Sequence, residues 1–142
     1  MANGIHYSRS EPSLLVKALI MRDFEKLEIW QLSYRLAIKV YKVFAQCQDY
    51  GFYSQITRAA VSIASNIAEG SERRTAKDFI NFLHIAKGSA GELRTQLYIA
   101  EGIGYIPVDI RTELVAMTAT IGAKIYWLIQ TIQNGEQGQA SR

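Results

Sequence analysis

From Asp23 onward, apolar residues recur at steps of three and four, the spacing that places side chains on one face of a helix. Leu27, Trp30, Tyr34, Ala37, Tyr41 and Phe44 make one such line, and Ile29, Leu36, Val40 and Val43 run beside it. The spacing predicts a first helix from about Asp23 to Gln48 with an unusually wide apolar arc, ended by Gly51 as a left-handed stop. The next segment, SQITRAAVSIASNIAEGSERRT, has a stripe of Ile56, Ala60, Ile63 and Ile67 and a polar stripe of Arg58, Ser62, Ser65 and Glu69. It reads as an amphipathic second helix with several small-residue faces, stopped by Gly70.

Thr75 and Asp78 resemble a capping box at the start of a third helix. Its seam of Phe79, Leu83, Ala86, Ala90, Leu93, Leu97 and Ala100 carries it to about Gly102. A fourth helix begins near Pro107 or Asp109 and keeps Ile110, Leu114, Met117, Ile121, Ile125, Leu128 and Ile132 in register. Short connections make sequential helices antiparallel. The expected fold is all-α, an up-down-up-down four-helix bundle over residues 21–133, between a flexible N-terminal arm (1–20) and a flexible polar tail (134–142). Met21 stands at the edge of the regular pattern and is read as the natural start. Intact-mass analysis of protein made from the native gene tests that start.

Composition narrows the class. Hydrophobic residues make up 49% and charged residues 20% of the 142 positions, values of a folded domain with a core. The only prolines are Pro12 and Pro107, which permits long helices between them. No apolar run reaches the ~20 residues of a membrane span. LLVKALIM, Leu14–Met21, lacks the cleavage site of a signal peptide. A single cysteine, Cys47, excludes an internal disulfide and a cysteine-rich zinc site, and with His6 and His84 far apart in sequence no metal centre is expected. The expected setting is the cytoplasm, with no cofactor and no membrane partner.

Enzyme signatures are missing. There is no phosphate-binding glycine loop after a strand, no paired ExxH motif for a di-iron bundle, and no serine–histidine–acid arrangement around His84. The expectation is a non-enzyme.

What remains is basic. The net charge is +3 and the isoelectric point about 9.0. Arg35, Lys39 and Lys42 share one side of the first helix, with no acid between Glu28 and Asp49 to offset them there. Arg73, Arg74 and Lys77 form a second group at the turn into the third helix. Such stripes suit the phosphates of RNA or DNA, and these six residues are the candidate nucleic-acid contacts. The alternative is a structural or protein-partner adaptor whose basic faces are simply solvated. Gly88, Gly91 and the alanine and serine faces of the second helix suggest close approach by another backbone, and the wide arc of the first helix suggests a covered surface. A homo-oligomer is therefore expected.

DFEKLEIWQLSYRLAIKVYKV, the SQITRAAVSIASNIAEGSERRTAKDFINFLHIAKGSAGELRTQL stretch and GYI together resemble a known family. It is the bacterial four-helix bundle family of intervening-sequence proteins, encoded within large-subunit ribosomal RNA genes and also called S23-like. The resemblance spans roughly Asp23 to Gln133. Arg58-Ala59-Ala60, Ser62-Ile63 and Asn66-Ile67-Ala68-Glu69-Gly70 carry most of it, with Trp30-Gln31 in the first helix. Ala64 stands where the family commonly has proline, which should leave the second helix straighter. The twenty-residue N-terminal extension is also atypical.

The resemblance implies a ring-like homopentamer in the cytoplasm. The family is distantly similar to the accessory variability protein of diversity-generating retroelements, whose basic ring binds nucleic acid and partners a reverse transcriptase. A ribonucleoprotein or reverse-transcriptase partner is thus implied. Arg58, Ser62, Asn66, Glu69 and Gly70 are assigned to packing and assembly.

Overall fold

The computed structural model describes residues 23–140, except the side chains of residues 137, 139 and 140. Four α-helices follow a short 3-10 turn at Phe24–Lys26: α1 (Glu28–Val43), α2 (Tyr50–Ser71), α3 (Ala76–Gly102) and α4 (Val108–Ala140). No strand occurs among the described residues. Neighbouring pairs α1–α2, α2–α3, α3–α4 and α1–α4 pack together, with α2 and α3 sharing the most extensive interface. This is the up-down-up-down bundle that the spacing predicts.

The seams expected of α2 and α3 are the core. Ile56, Ala60, Ile63 and Ile67 are fully buried, as are Leu83, Ala86, Leu93 and Leu97. On α4, Leu114, Ile121, Ile125 and Leu128 are buried, while Ile110 and Met117 are half-buried against them. Each such side chain contributes about 1.5–3 kcal/mol by leaving water, and this burial holds the helices in place.

On α1 the two apolar lines are buried unequally, although Leu27 and Phe44 at the ends of the first line are buried. Ile29, Leu36 and Val40 face the core with Ser33, whereas Trp30 and Ala37 are half-buried and Tyr34 and Tyr41 exposed. Both lines have helical spacing, so periodicity alone does not rank them. The aromatic line borders a surface groove instead.

Several boundaries differ from those expected. α1 begins at Glu28, because Leu27 leaves helical geometry (φ −75°, ψ 126°) to bury its own side chain. Gln31 Nε2 then donates to the Glu25 carbonyl at 2.8 Å, bracing the 3-10 turn. α1 ends at Val43 rather than Gln48, and the chain turns so that Asp49 can cap α2. The Asp49 carboxylate accepts from Phe52 N at 3.1 Å. Gly51 therefore sits in the first turn of α2 and is not a left-handed stop. Gly104 is the only described glycine with positive φ, at 81°. Thr75 caps α3 as expected, its hydroxyl accepting from Asp78 N at 3.1 Å.

Gly70 is likewise no stop. It is buried inside α2, and a β-carbon there would lie 2.7 Å from Phe82 Cβ and 2.8 Å from Phe79 Cδ2. Its role is close approach of α3. Gly88 and Gly91 show the opposite: both are exposed and no atom lies within 4 Å of where a β-carbon would sit. No described part of this chain makes a close approach at those two glycines. α2 runs unbroken through Ala64, and α4 continues to Ala140, past Gln133 where the apolar seam stops. The N-terminal arm, 1–20, and Met21 lie outside the described residues.

Candidate nucleic-acid interface

Arg35 and Lys42 are exposed on α1, seven residues apart and so about 10 Å along the axis. Neither has an ion pair among the described residues. Lys39, between them, is held by Glu113 of α4 in a half-exposed pair that also bonds α1 to α4. Together with Ile38 the three cations line a shallow, open surface hollow.

The second basic group is elsewhere. Tyr41 packs edge-on to Tyr53, so the end of α1 lies beside the start of α2. Arg73, Arg74 and Lys77 follow the other end of α2, roughly 30 Å away along a helix rising ~1.5 Å per residue. Arg73 pairs with Glu69 at 2.7 Å and lies over the Phe82 ring at 4.8 Å. Lys77 is exposed in the first turn of α3. Within one chain the two basic groups do not merge into a single face.

The residues assigned to packing and assembly make the following contacts within the subunit. Asn66 Nδ2 donates to the Ser62 carbonyl at 2.8 Å and to Ser62 Oγ at 2.9 Å. Ser62 Oγ in turn lies 2.8 Å from Ser89 Oγ of α3. This half-buried polar chain fixes how α2 lies on α3, and Ser89 is a member that spacing on α2 could not supply. Arg58 donates to Ser54 Oγ at 3.4 Å and remains exposed, while Glu69 is taken by Arg73.

A groove of about 630 Å³ runs between α1 and α2. Trp30, Tyr34 and Tyr41 form one wall, and Val61, Ala64 and Ala68 the other. Trp30 and Tyr34 stack at 5.3 Å with 16° between their planes. Another exposed apolar area lies on α4, where Trp127 meets Tyr126 edge-on and Lys87 covers Tyr126 at 5.1 Å.

Tyr105, in the turn between α3 and α4, donates its hydroxyl to Asp49 Oδ2 at 2.7 Å. That bond, together with Phe52 N, holds the Asp49 carboxyl below the usual range. The same bond to a carboxylate, with some burial, pushes the Tyr105 hydroxyl up. The pair ties two loops together at one end of the bundle. Asp49 could be found in the sequence as a cap, but its bond to Tyr105 could not.

No group of three or more His, Cys, Asp or Glu among the described residues could hold a metal ion. Among the described residues, no helix is long and apolar enough to cross a membrane.

The model of the 23S rRNA-intervening sequence protein family matches residues 25–126. The chain belongs to that family. Its bundle is also similar to the crystal structure of a protein of unknown function from the S23 ribosomal protein family of Bacteroides thetaiotaomicron. The two share 26% identity with a TM-score of 0.67, over 71% of this chain and 97% of that one. No curated protein matches the chain. The family match takes in all of α1, α2 and α3, and it stops in α4 one residue before the exposed Trp127.

Proposed function

We propose that this chain is a non-enzymatic accessory protein of the cytoplasm that works as a homo-oligomer and binds RNA or DNA through the basic side of α1. The observation that carries the proposal is the exposure of Arg35 and Lys42, flanking Lys39, without an ion-pair partner among the described residues. Cations that no carboxylate neutralises can meet phosphates and release their counterions, which gives affinity without base reading. The family's description, naming a 23S rRNA intervening sequence, supports an RNA setting. Because Arg73, Arg74 and Lys77 stand at the far end of the same bundle, they would reach the same nucleic acid only across an assembly. The exposed Trp127, Tyr126 and Tyr34 and the open surroundings of Gly88 and Gly91 support such an assembly. The homopentamer, and a ribonucleoprotein or reverse-transcriptase partner, come from the resemblance.

The test is binding of structured RNA and duplex DNA across a salt series. Arg35→Glu with Lys42→Glu should weaken binding to any sequence and reduce the salt slope by roughly 2, as about 0.9 is lost per phosphate contact. Absence of salt-dependent binding by the parent chain removes the proposal. Light scattering addresses the assembly: a mass of one 16.0 kDa chain at micromolar concentration contradicts it.

A second reading, a protein-partner adaptor with no nucleic-acid contact, is favoured by the ion pairs Lys39–Glu113 and Arg73–Glu69. They occupy two of the six candidate cations. On that reading, partners meet the exposed apolar faces and the charge changes on α1 leave binding unaltered.

A further inference from the structure

We propose that the groove between α1 and α2 takes the unpaired bases of a single-stranded nucleic acid, while the cations along its edges hold that strand's phosphates. This rests on the reading that the basic side of α1 meets nucleic acid, and it names the form of nucleic acid which that side takes. The core beneath the groove is complete, since Leu36, Val40, Ile63 and Ile67 are all fully buried. The aromatic wall above it is open: Tyr34 is 49% exposed and Tyr41 42%. Trp30 covers one face of Tyr34, with ring centroids 5.3 Å apart and 16° between the planes. Phe24 meets Trp30 edge-on at 5.2 Å, so Tyr34 is the exposed end of this stack.

Charge distinguishes the occupant. No carboxylate lines the groove. Lys42 lines both the groove and the adjoining hollow of Arg35, Ile38 and Lys39, so the aromatic and basic surfaces are continuous. On the facing helix Arg58 is exposed three residues before Val61, a spacing that puts the two on one side, and it bonds the neutral hydroxyl of Ser54. Cations therefore flank the groove on both walls. Aromatic faces beside cations suit a single strand: bases stack on the rings whatever their sequence, because every base has a flat π-face, and the cations follow the backbone. Tyr34 and Tyr41 stand seven residues apart, about 10 Å along α1. Stacked nucleotides repeat every ~3.4 Å, so about two bases fit between these rings. A duplex does not offer such bases, since their faces are covered by neighbours and only their edges are reachable. On this assignment assembly uses another side of the bundle, where Tyr126 and Trp127 are exposed on α4.

Trp30 provides the measurement. The chain has two tryptophans, and Trp127→Phe in the full chain leaves Trp30 as the sole emitter. In that background oligouridylate of about 12 nucleotides, within the ~4–16 that such sites cover, should quench Trp30. It should also bind about tenfold more tightly than duplex RNA of the same length at the same salt. Polyphosphate, which carries the charge without the bases, should leave Trp30 emission unchanged. Tyr34→Ala should weaken oligouridylate binding about tenfold and leave the duplex affinity as it was. Tyr34→Phe keeps the ring face and should keep tight binding. Tyr34 lies outside the core, and circular dichroism checks that both variants fold. Equal binding of oligouridylate and duplex, with Trp30 unquenched, overturns this inference and leaves the basic-face reading standing. Absence of salt-dependent binding to either one removes both. A light-scattering mass lowered by Tyr34→Ala, with oligouridylate affinity unchanged, overturns it too and assigns the groove to a second copy.

Discussion

Gly70 of α2 and Phe82 of α3 lie so close that a β-carbon on Gly70 would fall 2.7 Å from Phe82 Cβ. The neighbouring Phe79 adds a contact at 2.8 Å from its ring and 3.3 Å from its carbonyl oxygen. Neither Phe82 Cβ nor the Phe79 backbone can swing away. Gly70→Ala should therefore destabilise the bundle, although alanine is intrinsically the better helix former. Overpacking costs about 1–3 kcal/mol against roughly 1 kcal/mol gained in propensity. Urea denaturation checks the sign, and an unchanged midpoint would mean that α3 shifts to make room.

Gly88→Ala and Gly91→Ala should do the reverse. With open space around both positions, each should stabilise the isolated subunit by about 0.5–1 kcal/mol. If a second copy covers that face, the same substitutions should weaken assembly while the monomer gains stability. Denaturation and light scattering on the same samples separate the two effects.

Ser62 joins Asn66 and Ser89 in one polar chain. Ser62→Ala leaves both without that partner in a half-buried place and should cost about 1 kcal/mol. A double-mutant cycle with Ser89→Ala should show positive coupling, because the second substitution removes a bond already lost. Strict additivity would show that the two hydroxyls are not bonded in solution.

Arg111, at the start of α4, holds Glu101 through both Nε (3.1 Å) and Nη2 (3.0 Å) and lies 5.0 Å over the Tyr98 ring. Arg111→Ala should lower stability by about 1 kcal/mol, and Arg111→Lys should recover little of it, since an ammonium has neither the fork nor the flat face. Full recovery by lysine would reduce the interaction to simple charge pairing.

The Asp49–Tyr105 bond sets limits at both ends of the pH scale. The Asp49 carboxyl is held low, chiefly by the Tyr105 hydroxyl and then by Phe52 N. Its contribution is present above the ordinary aspartate value of about 4 and is lost as pH falls through the lower folded value. The Tyr105 hydroxyl is pushed up, chiefly by its bond to Asp49. That contribution is present below about pH 10 and is lost as pH rises through the higher folded value. The stability difference between the parent and Tyr105→Phe should be level at neutral pH and shrink at both extremes. A difference that persists unchanged into acid would show that the phenol acts by packing alone.

Local spacing determined the number of helices, their antiparallel order, the seams of α2, α3 and α4, and the Thr75 cap. A core face recurs with the helical period, so it is written along the chain. The motif residues Arg58, Ser62, Asn66, Glu69 and Gly70 also marked the family. What spacing could not decide were choices between local alternatives of equal pattern. Two apolar lines on α1 were equivalent until α2 and α4 packed on one of them and left the aromatics at a groove. Gly51 and Gly70 looked like stops because glycine ends many helices, yet capping by Asp49 and the approach of Phe82 placed both inside α2. Arg35, Lys39 and Lys42 were one stripe in sequence, and only the position of α4 put Glu113 against the middle member. Helices follow from periodicity within about twenty residues, whereas partners 56 or 74 residues apart, as in Tyr105–Asp49 and Lys39–Glu113, exist only once the bundle has closed.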